Sequence, residues 1–126
     1  ANREGGVLLL AQMSSRGNLL SDDYTRSVVE LGVAHEGVLG FIGNGSRPNE
    51  LANLRQKVGQ QKMIWTPGVN LEVGDGEMGQ RYGDPYAAIL AGSDCIIVGS
   101  GIHGAKNPRV AAESYAQISW NALQDR

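Results

Sequence analysis

The sequence predicts an α/β fold built on a parallel sheet. Short, continuous apolar runs recur along the chain, and each is followed by a segment whose apolar residues have helical spacing. Successive predicted strands begin roughly 25 to 30 residues apart, which is the size of one βα unit. This alternation requires a parallel sheet, because each helix returns the chain to the edge where the previous strand began.

The first βα unit begins with the apolar run at residues 7–11, which is typical of a strand covered on both faces. Ser21 is the expected N-cap of the first helix, and acidic residues in the following turn suit the helix dipole. Four apolar or aromatic side chains at helical spacing are expected to face the core: Tyr24, Val28, Leu31 and Ala34.

The second strand is predicted at residues 38–43, and Pro48 then suits the first turn of a helix. Leu51, Leu54 and Val58 form the apolar stripe of that helix. The third strand covers residues 62–66 and ends sharply at a Pro-Gly pair.

A glycine-rich connection then runs over residues 69–83 and leads to a short helix capped by Asp84. The fourth strand begins near Asp94 and ends in the glycine-rich turn at residues 99–104. The last helix starts at Pro108, and its expected inward positions are Val110, Ala111, Tyr115, Ile118 and Leu123. Four such units form either a small doubly wound sheet or half of an eight-stranded barrel, which needs about 250 residues when complete.

Composition excludes several functional classes. The chain of 126 residues is 41% hydrophobic and carries a formal charge of −2, so neither disorder nor a nucleic-acid surface is expected. No apolar run approaches the roughly 18 residues of a membrane span, and no signal peptide opens the chain. The single cysteine, Cys95, fits a reducing compartment, so a cytoplasmic protein is predicted.

Two familiar kinds of site are poorly supported. The run from Gly99 to Gly104 matches the G-x-G-x-x-G dinucleotide fingerprint, but the next helix begins only at Pro108, and no second strand ending in an acidic residue follows. His35 and His103 are the two histidines, and neither has metal-ligand spacing, so no metal site is predicted.

Four motifs stand at predicted strand ends: M-S-S-x-G-x-L from Met13, T-P-G-V from Thr66, G-Q-x-Y from Gly79 and S-D-x-I-I-V-G from Ser93. With these motifs in this order, the chain resembles the orotidine 5′-phosphate decarboxylase family from residue 6 to about 123. The resemblance is to the branch that includes the decarboxylase domain of eukaryotic UMP synthase. It implies one partial domain over residues 1–126: the C-terminal half of a (β/α)8 TIM barrel, with four βα units supplying parallel strands five to eight.

The resemblance also implies an activity and a set of substrate-binding residues. The family converts orotidine 5′-monophosphate to UMP and carbon dioxide in pyrimidine biosynthesis, without metal or cofactor. Ser14 would hydrogen-bond the pyrimidine ring, Met13 would lie beside it, and Pro67 would line the pocket. Gln80 and Tyr82 would reach the substrate phosphate from a mobile loop.

The phosphate site departs from the family pattern at one position. The family has V-G-R-G, where the arginine clamps the phosphate, whereas this chain has Gly99 followed by Ser100. The Gly99 backbone would still contribute, but serine offers one neutral hydrogen bond in place of a charged fork. Arg81, His103 and Lys106 are candidates to supply the missing charge.

The chain is expected to hold no catalytic residue. The family's proton donor belongs to a D-x-K-x-x-D array at the end of its third strand, and this spacing does not occur here. We expect the array to precede Ala1, in an N-terminal half-barrel, and one of its aspartates to act across a homodimer. Two alternatives remain open: a non-catalytic half-barrel that self-associates, and a small nucleotide-binding α/β module.

Overall fold

The computed structural model describes residues 5–72, 74–75 and 81–126. Strands and helices alternate along the chain as predicted, apart from an added two-stranded ladder and a short extra helix in the predicted glycine-rich turn at residues 99–104. The strands are β1 Val7–Leu10, β2 Val38–Ile42, β3 Met63–Thr66, β4 Gly74–Asp75, β5 Arg81–Tyr82 and β6 Cys95–Ile96. The helices are α1 Asp22–Ala34, α2 Pro48–Val58, α3 Pro85–Ala91, α4 Ser100–His103 and α5 Pro108–Asp125.

The main sheet has four parallel strands in the order β1-β2-β3-β6. Phe41 pairs with Leu9 on one side and with Ile64 on the other, and Trp65 pairs with Cys95. The predicted parallel sheet is therefore confirmed. The glycine-rich connection contains structure that the sequence did not predict, because β4 and β5 form a separate antiparallel ladder.

The helix starts follow their local signals. The side chain of Ser21 accepts a hydrogen bond from the Tyr24 amide, as expected for an N-cap. Asp84 and Asn107 cap α3 and α5 in the same way, and each is followed by a proline in the first helical turn. No helix within the described residues is long and apolar enough to cross a membrane.

The hydrophobic core lies between the sheet and its helices. Phe41, Leu51, Leu54 and Ile64 are fully buried there, which confirms the stripe predicted for α2. The inward face of α5 is narrower than expected, because Val110 and Leu123 are exposed. The buried positions of α5 are Tyr115 and Ala122.

The stripe predicted for α1 was only partly right, because Val28 packs against the core and its other members are exposed. Leu31 is 65% exposed, and the buried residues of the helix are Thr25, Val29 and Gly32. The Thr25 hydroxyl donates to the Ala11 carbonyl at 2.8 Å, so a polar side chain is satisfied inside. Gly32 faces Phe41, whose ring lies 2.5 Å from where a Cβ would be. Close packing and one hydrogen bond therefore decide the orientation of α1.

The other face of the sheet is open. Leu9, Ile64, Ile96 and Val98 contact the core, so the alternation of side chains along a strand places their neighbours on the opposite face. Those neighbours include three exposed apolar side chains: Leu10 at 41%, Met63 at 39% and Ile97 at 41%.

Charged side chains hold the amino ends of β3 and β6. A carboxylate oxygen of Asp94 accepts from the Ile64 amide at 2.9 Å and from the Arg55 guanidinium. Arg55 also donates to the carbonyls of Gly59, Lys62 and Gly92, and its side chain is only 12% exposed. Arg126 adds a second ion pair to Asp94 at 3.3 Å. Asp94 thus connects the sheet to α2 and to the end of α5.

Candidate functional site at the carboxyl edge of the sheet

The predicted site segments lie at one edge of the sheet. Hydrogen bonds continue the parallel pairing beyond the strand ends, from the Ala11 amide to the Ile42 carbonyl at 3.0 Å and from the Ile97 amide to the Thr66 carbonyl at 2.9 Å. The loops after β1, β2, β3 and β6 therefore start along the same edge of the sheet. This edge is where parallel α/β proteins place their ligands.

The loop after β1 is anchored to the loop after β2. The Gln12 side-chain oxygen accepts from the Asn44 amide at 2.9 Å, and its nitrogen donates to the Glu50 carbonyl at 3.0 Å. Next in the chain, Met13 is 38% exposed and Ser14 is 6% exposed. The two adjacent site residues therefore differ in setting, because the serine is packed inside the loop while the methionine reaches the surface.

Asn44 stabilises this edge, although the sequence indicated only that it lies in a turn. It is 2% exposed, its side-chain oxygen accepts from the backbone and hydroxyl of Ser46, and its nitrogen donates to Glu50 at 3.3 Å. A polar cavity of about 600 Å³ lies beside it, between α1 and α2. Met13 lines this cavity, whereas Tyr82 and Ser100 lie at other strand ends.

Pro67 begins a tight turn after β3. Its carbonyl accepts from the Gly45 amide at 3.1 Å, so the loops after β2 and β3 are joined. The following Gly68 has φ +79°, a left-handed conformation that disfavours other residues. The tight turn therefore explains why the motif has glycine after proline. The predicted role of Pro67 in lining the pocket is a separate one.

The loop that carries Tyr82 has a fixed base. The Gly83 amide donates to the Gly68 carbonyl at 2.8 Å, and the Asn70 amide donates to the Gly83 carbonyl at 3.0 Å. A Cβ on Gly83 would lie 2.4 Å from the Gly45 carbonyl oxygen, so the backbone is closely packed at this point. Gln80, the other predicted phosphate residue of the loop, lies outside the described residues.

Tyr82 and Ser100 are brought together, although 18 positions separate them. The Tyr82 phenol oxygen lies 3.4 Å from the Ser100 hydroxyl oxygen, at the long end of hydrogen-bonding distance. Ser100 is exposed in the first turn of α4, and Gly99 before it has open space where a Cβ would be. Hydroxyl groups and an accessible backbone therefore meet at the end of β6, beside the base of the loop.

The titratable groups that the structure describes form no metal-ligand cluster. Among the described residues, no three His, Cys, Asp or Glu side chains form a group that could hold a metal ion. His103 is exposed at the end of α4. Burial, with a smaller contribution from the charge of Asp94, raises the pKa of the Cys95 thiol, so this cysteine stays protonated near neutral pH.

Comparison with known proteins identifies the family. The model of the orotidine 5′-phosphate decarboxylase / HUMPS family matches residues 1–115. The chain is 36% identical over 124 residues to orotidine 5′-phosphate decarboxylase of Penicillium nalgiovense, covering 98% of the chain and 45% of that enzyme. It is 40% identical over 125 residues to the Schizosaccharomyces pombe enzyme, covering 96% of the chain and 44% of the enzyme.

Solved structures give the same result. Orotidine 5′-phosphate decarboxylase from Pyrococcus horikoshii superposes with a TM-score of 0.74 at 28% identity, over 91% of this chain and 51% of that one. The Sulfolobus solfataricus enzyme gives 0.72 at 25% identity, over 94% and 50%. The chain thus spans about half the length of the relatives it matches and corresponds to the C-terminal half of their barrel. It belongs to the orotidine 5′-phosphate decarboxylase family.

Proposed function

We propose that this chain is the substrate-binding half of an orotidine 5′-phosphate decarboxylase and forms a single partial domain carrying strands five to eight. The observation that carries the proposal is the meeting of Tyr82 and Ser100 at 3.4 Å beside the exposed Gly99 backbone. Two segments that the family uses for phosphate thus converge at the carboxyl edge, where barrels commonly hold phosphate groups. The substrate is orotidine 5′-monophosphate and the products are UMP and carbon dioxide.

Each site residue has a binding role in this proposal. Ser14 offers its hydroxyl to the edge of the pyrimidine ring, since a hydroxyl can both donate and accept. Met13 and Pro67 line the ring pocket. Gln80 and Tyr82, with the Gly99 amide and the Ser100 hydroxyl, bind the phosphate. This grip on a remote group supplies binding energy for loop closure and for orienting the reacting carbon.

The chemical step belongs to the missing half. When carbon dioxide leaves, the electron pair of the broken C–C bond remains at C6 and must accept a proton. In the family, the lysine of D-x-K-x-x-D supplies that proton, and we propose that an N-terminal half-barrel brings it to this site. No metal or cofactor takes part in the proposed reaction. The site would be cytoplasmic, and a homodimer would contribute one aspartate.

The open face of the sheet favours such a partner. β1 and β6 are edge strands, and unpaired edges beside exposed apolar side chains invite association. A cavity of about 420 Å³ at the β6 edge is lined by apolar residues and by Ser119. Among the described residues, the hydroxyl of Ser119 has no hydrogen-bond partner. An N-terminal half would cover the edge of β6 and this cavity.

Decarboxylation by separate and mixed halves tests the proposal. We expect no turnover from this chain alone, and turnover when an N-terminal half carrying D-x-K-x-x-D is added to form what we call the assembled barrel. Activity from this chain alone would show that the proton donor is not in a missing half. Self-association without UMP binding would favour the non-catalytic half-barrel, and tight NAD binding would favour the nucleotide-binding module.

A further inference from the structure

The buried phenol of Tyr115 contacts both segments assigned to phosphate binding. Its side chain projects from α5 and is 3% exposed. Its hydroxyl accepts a hydrogen bond from the Leu71 amide at 3.0 Å, although 44 positions separate the two residues. Leu71 lies three residues after Gly68, where the loop that carries Tyr82 leaves its base. The aromatic residue of α5 therefore holds the loop where it emerges from the sheet.

The same hydroxyl also packs closely against the turn after β6. A Cβ built on Gly101 would lie 2.3 Å from the Tyr115 hydroxyl oxygen and 3.1 Å from the ring carbon that carries it. Gly101 follows Ser100 directly in α4. Only a residue without a side chain allows α4 to approach the phenol this closely. One oxygen atom thus lies between the loop base and the turn after β6 and is in close contact with both.

The other described contacts of the loop base do not fix its distance from α4. The backbone bonds of Gly83 with Gly68 and Asn70 join the two legs of the loop to each other. They do not join the loop to α4. Within the described part of the loop, the direct hydrogen-bond contact with α4 is the long one from Tyr82 to Ser100, and both of those side chains would be engaged by substrate. The hydrogen bond from Leu71 to Tyr115 needs no substrate group.

We propose that Tyr115 is a positioning residue for phosphate recognition, setting the base of the loop against the turn of Gly99 and Ser100. The inference rests on the proposed function. It predicts that the Tyr115 hydroxyl contributes to the binding of a phosphorylated ligand and contributes nothing to a ligand that lacks the phosphate. The loss of a single hydrogen bond corresponds to a decrease of about three- to tenfold in affinity.

The test compares Tyr115→Phe with wild type in the assembled barrel. We expect the dissociation constant of UMP to rise about three- to tenfold and that of uridine to change less than twofold. In turnover, kcat/KM for orotidine 5′-monophosphate should fall by the same factor. Equal losses for UMP and uridine would show a merely structural role and would overturn the inference, and so would no loss for either.

Tyr86→Phe is the matched control. The Tyr86 phenol donates to Asp125 at 2.6 Å, so this variant also removes one tyrosine hydrogen bond that involves α5. It lies away from the loop and should leave both dissociation constants unchanged. If Tyr115→Phe does not fold, Gly101→Ala approaches the same contact from the other side and should weaken UMP selectively. Loss of uridine binding by that variant would contradict the inference.

Hydrogen exchange separates this inference from the proposed function. The Leu71 amide should exchange faster in Tyr115→Phe than in wild type or Tyr86→Phe, whatever the ligand. Unchanged exchange would refute the hydrogen bond on which the inference stands. A wild-type barrel that binds neither UMP nor orotidine 5′-monophosphate would refute the proposed function and, with it, the role in phosphate binding, while Leu71 exchange would still decide the contact itself.

Discussion

The two edges of the sheet are held together by different means. At the amino edge, the guanidinium groups of Arg55 and Arg126 converge on Asp94 and on backbone carbonyls. At the carboxyl edge, neighbouring loops are joined by backbone hydrogen bonds and by glycines packed against carbonyl groups, as at Gly45 and Gly83. Charged side chains therefore secure the amino edge, whereas backbone contacts, close packing at glycines and the side chains of Gln12 and Asn44 secure the carboxyl edge, where the predicted site residues lie.

This difference has a physical reason. In the proposed function the carboxyl edge binds a phosphorylated substrate and needs polar groups free for it, because a side chain already engaged in a strong ion pair is costly to redirect. Backbone contacts at glycines hold the loops after β2, β3 and β5 without occupying Tyr82 or Ser100. The amino edge has no such constraint, so it can carry the strong interactions that stabilise the fold.

Removing the charge at the centre of the amino edge should have the largest effect. Asp94→Ala removes the acceptor of the Ile64 amide and leaves the largely buried charge of Arg55 without its carboxylate, so we expect a loss of about 3 kcal/mol in the free energy of unfolding. Urea denaturation of the assembled barrel measures it. Glu113→Ala, which breaks an ion pair with Arg109 that is exposed on both sides, should cost under about 0.5 kcal/mol.

In contrast to its stability, the affinity of Asp94→Ala for UMP should hardly change. Because none of the predicted site residues lies at the amino edge, Asp94→Ala at a temperature where it is folded should bind UMP within about twofold of wild type. A large loss of affinity in folded Asp94→Ala would show that the two edges are coupled and would break the comparison.

A glycine at the carboxyl edge should have the next largest effect. In Gly83→Ala the new methyl group would meet the Gly45 carbonyl oxygen at 2.4 Å and the Ser46 Cα at 2.8 Å, both backbone atoms that cannot rotate away. We expect a destabilisation of about 1–3 kcal/mol, again by urea denaturation. Gly99→Ala is the control for stability alone, since its methyl group meets nothing within 4 Å. Equal stability of the two variants would contradict the view that close backbone packing secures this edge.

Much of this arrangement could be predicted from local sequence. Three correct predictions depend on residues that are close together in the sequence. They are the succession of strands and helices along the chain, the N-caps at Ser21 and Asp84, and the apolar stripe of α2. The segments that meet at the carboxyl edge were also predictable, because parallel strands place their ends together.

What failed depends on long-range contacts. The α1 stripe was misplaced because Gly32 is packed on Phe41 and Thr25 is bonded to Ala11, contacts that helical periodicity does not contain. The β4–β5 ladder has strands of two residues each, too short for a pattern. The contact between Leu71 and Tyr115 joins residues 44 positions apart, so only the fold reveals it.

Adding charge to the carboxyl edge should have a smaller effect. Ser100→Arg restores the family's residue where the phosphate is expected, and a charge-assisted fork binds phosphate more strongly than a hydroxyl. We expect the dissociation constant of UMP in the assembled barrel to fall about tenfold, by titration calorimetry. Ser100→Ala, which removes the hydroxyl without adding charge, should not tighten binding. An unchanged dissociation constant for Ser100→Arg would mean that other groups already supply the charge.

The smallest expected effect is on the pKa of Cys95, the cysteine at the amino edge. Burial raises the pKa of Cys95, and the carboxylate of Asp94 raises it further, because a negative neighbour disfavours the thiolate. Since alkylation requires the thiolate, the pH at which iodoacetamide reacts at half its maximal rate should lie above that of an ordinary cysteine. Asp94→Asn removes the charge and keeps an oxygen to accept from the Ile64 amide, so the midpoint should move down. It should not fall to the ordinary value, because burial is the larger cause. A midpoint unaffected by Asp94→Asn would indicate that Arg55 and Arg126 cancel the effect of the Asp94 charge on the thiol. Burial alone would then account for the raised pKa of Cys95.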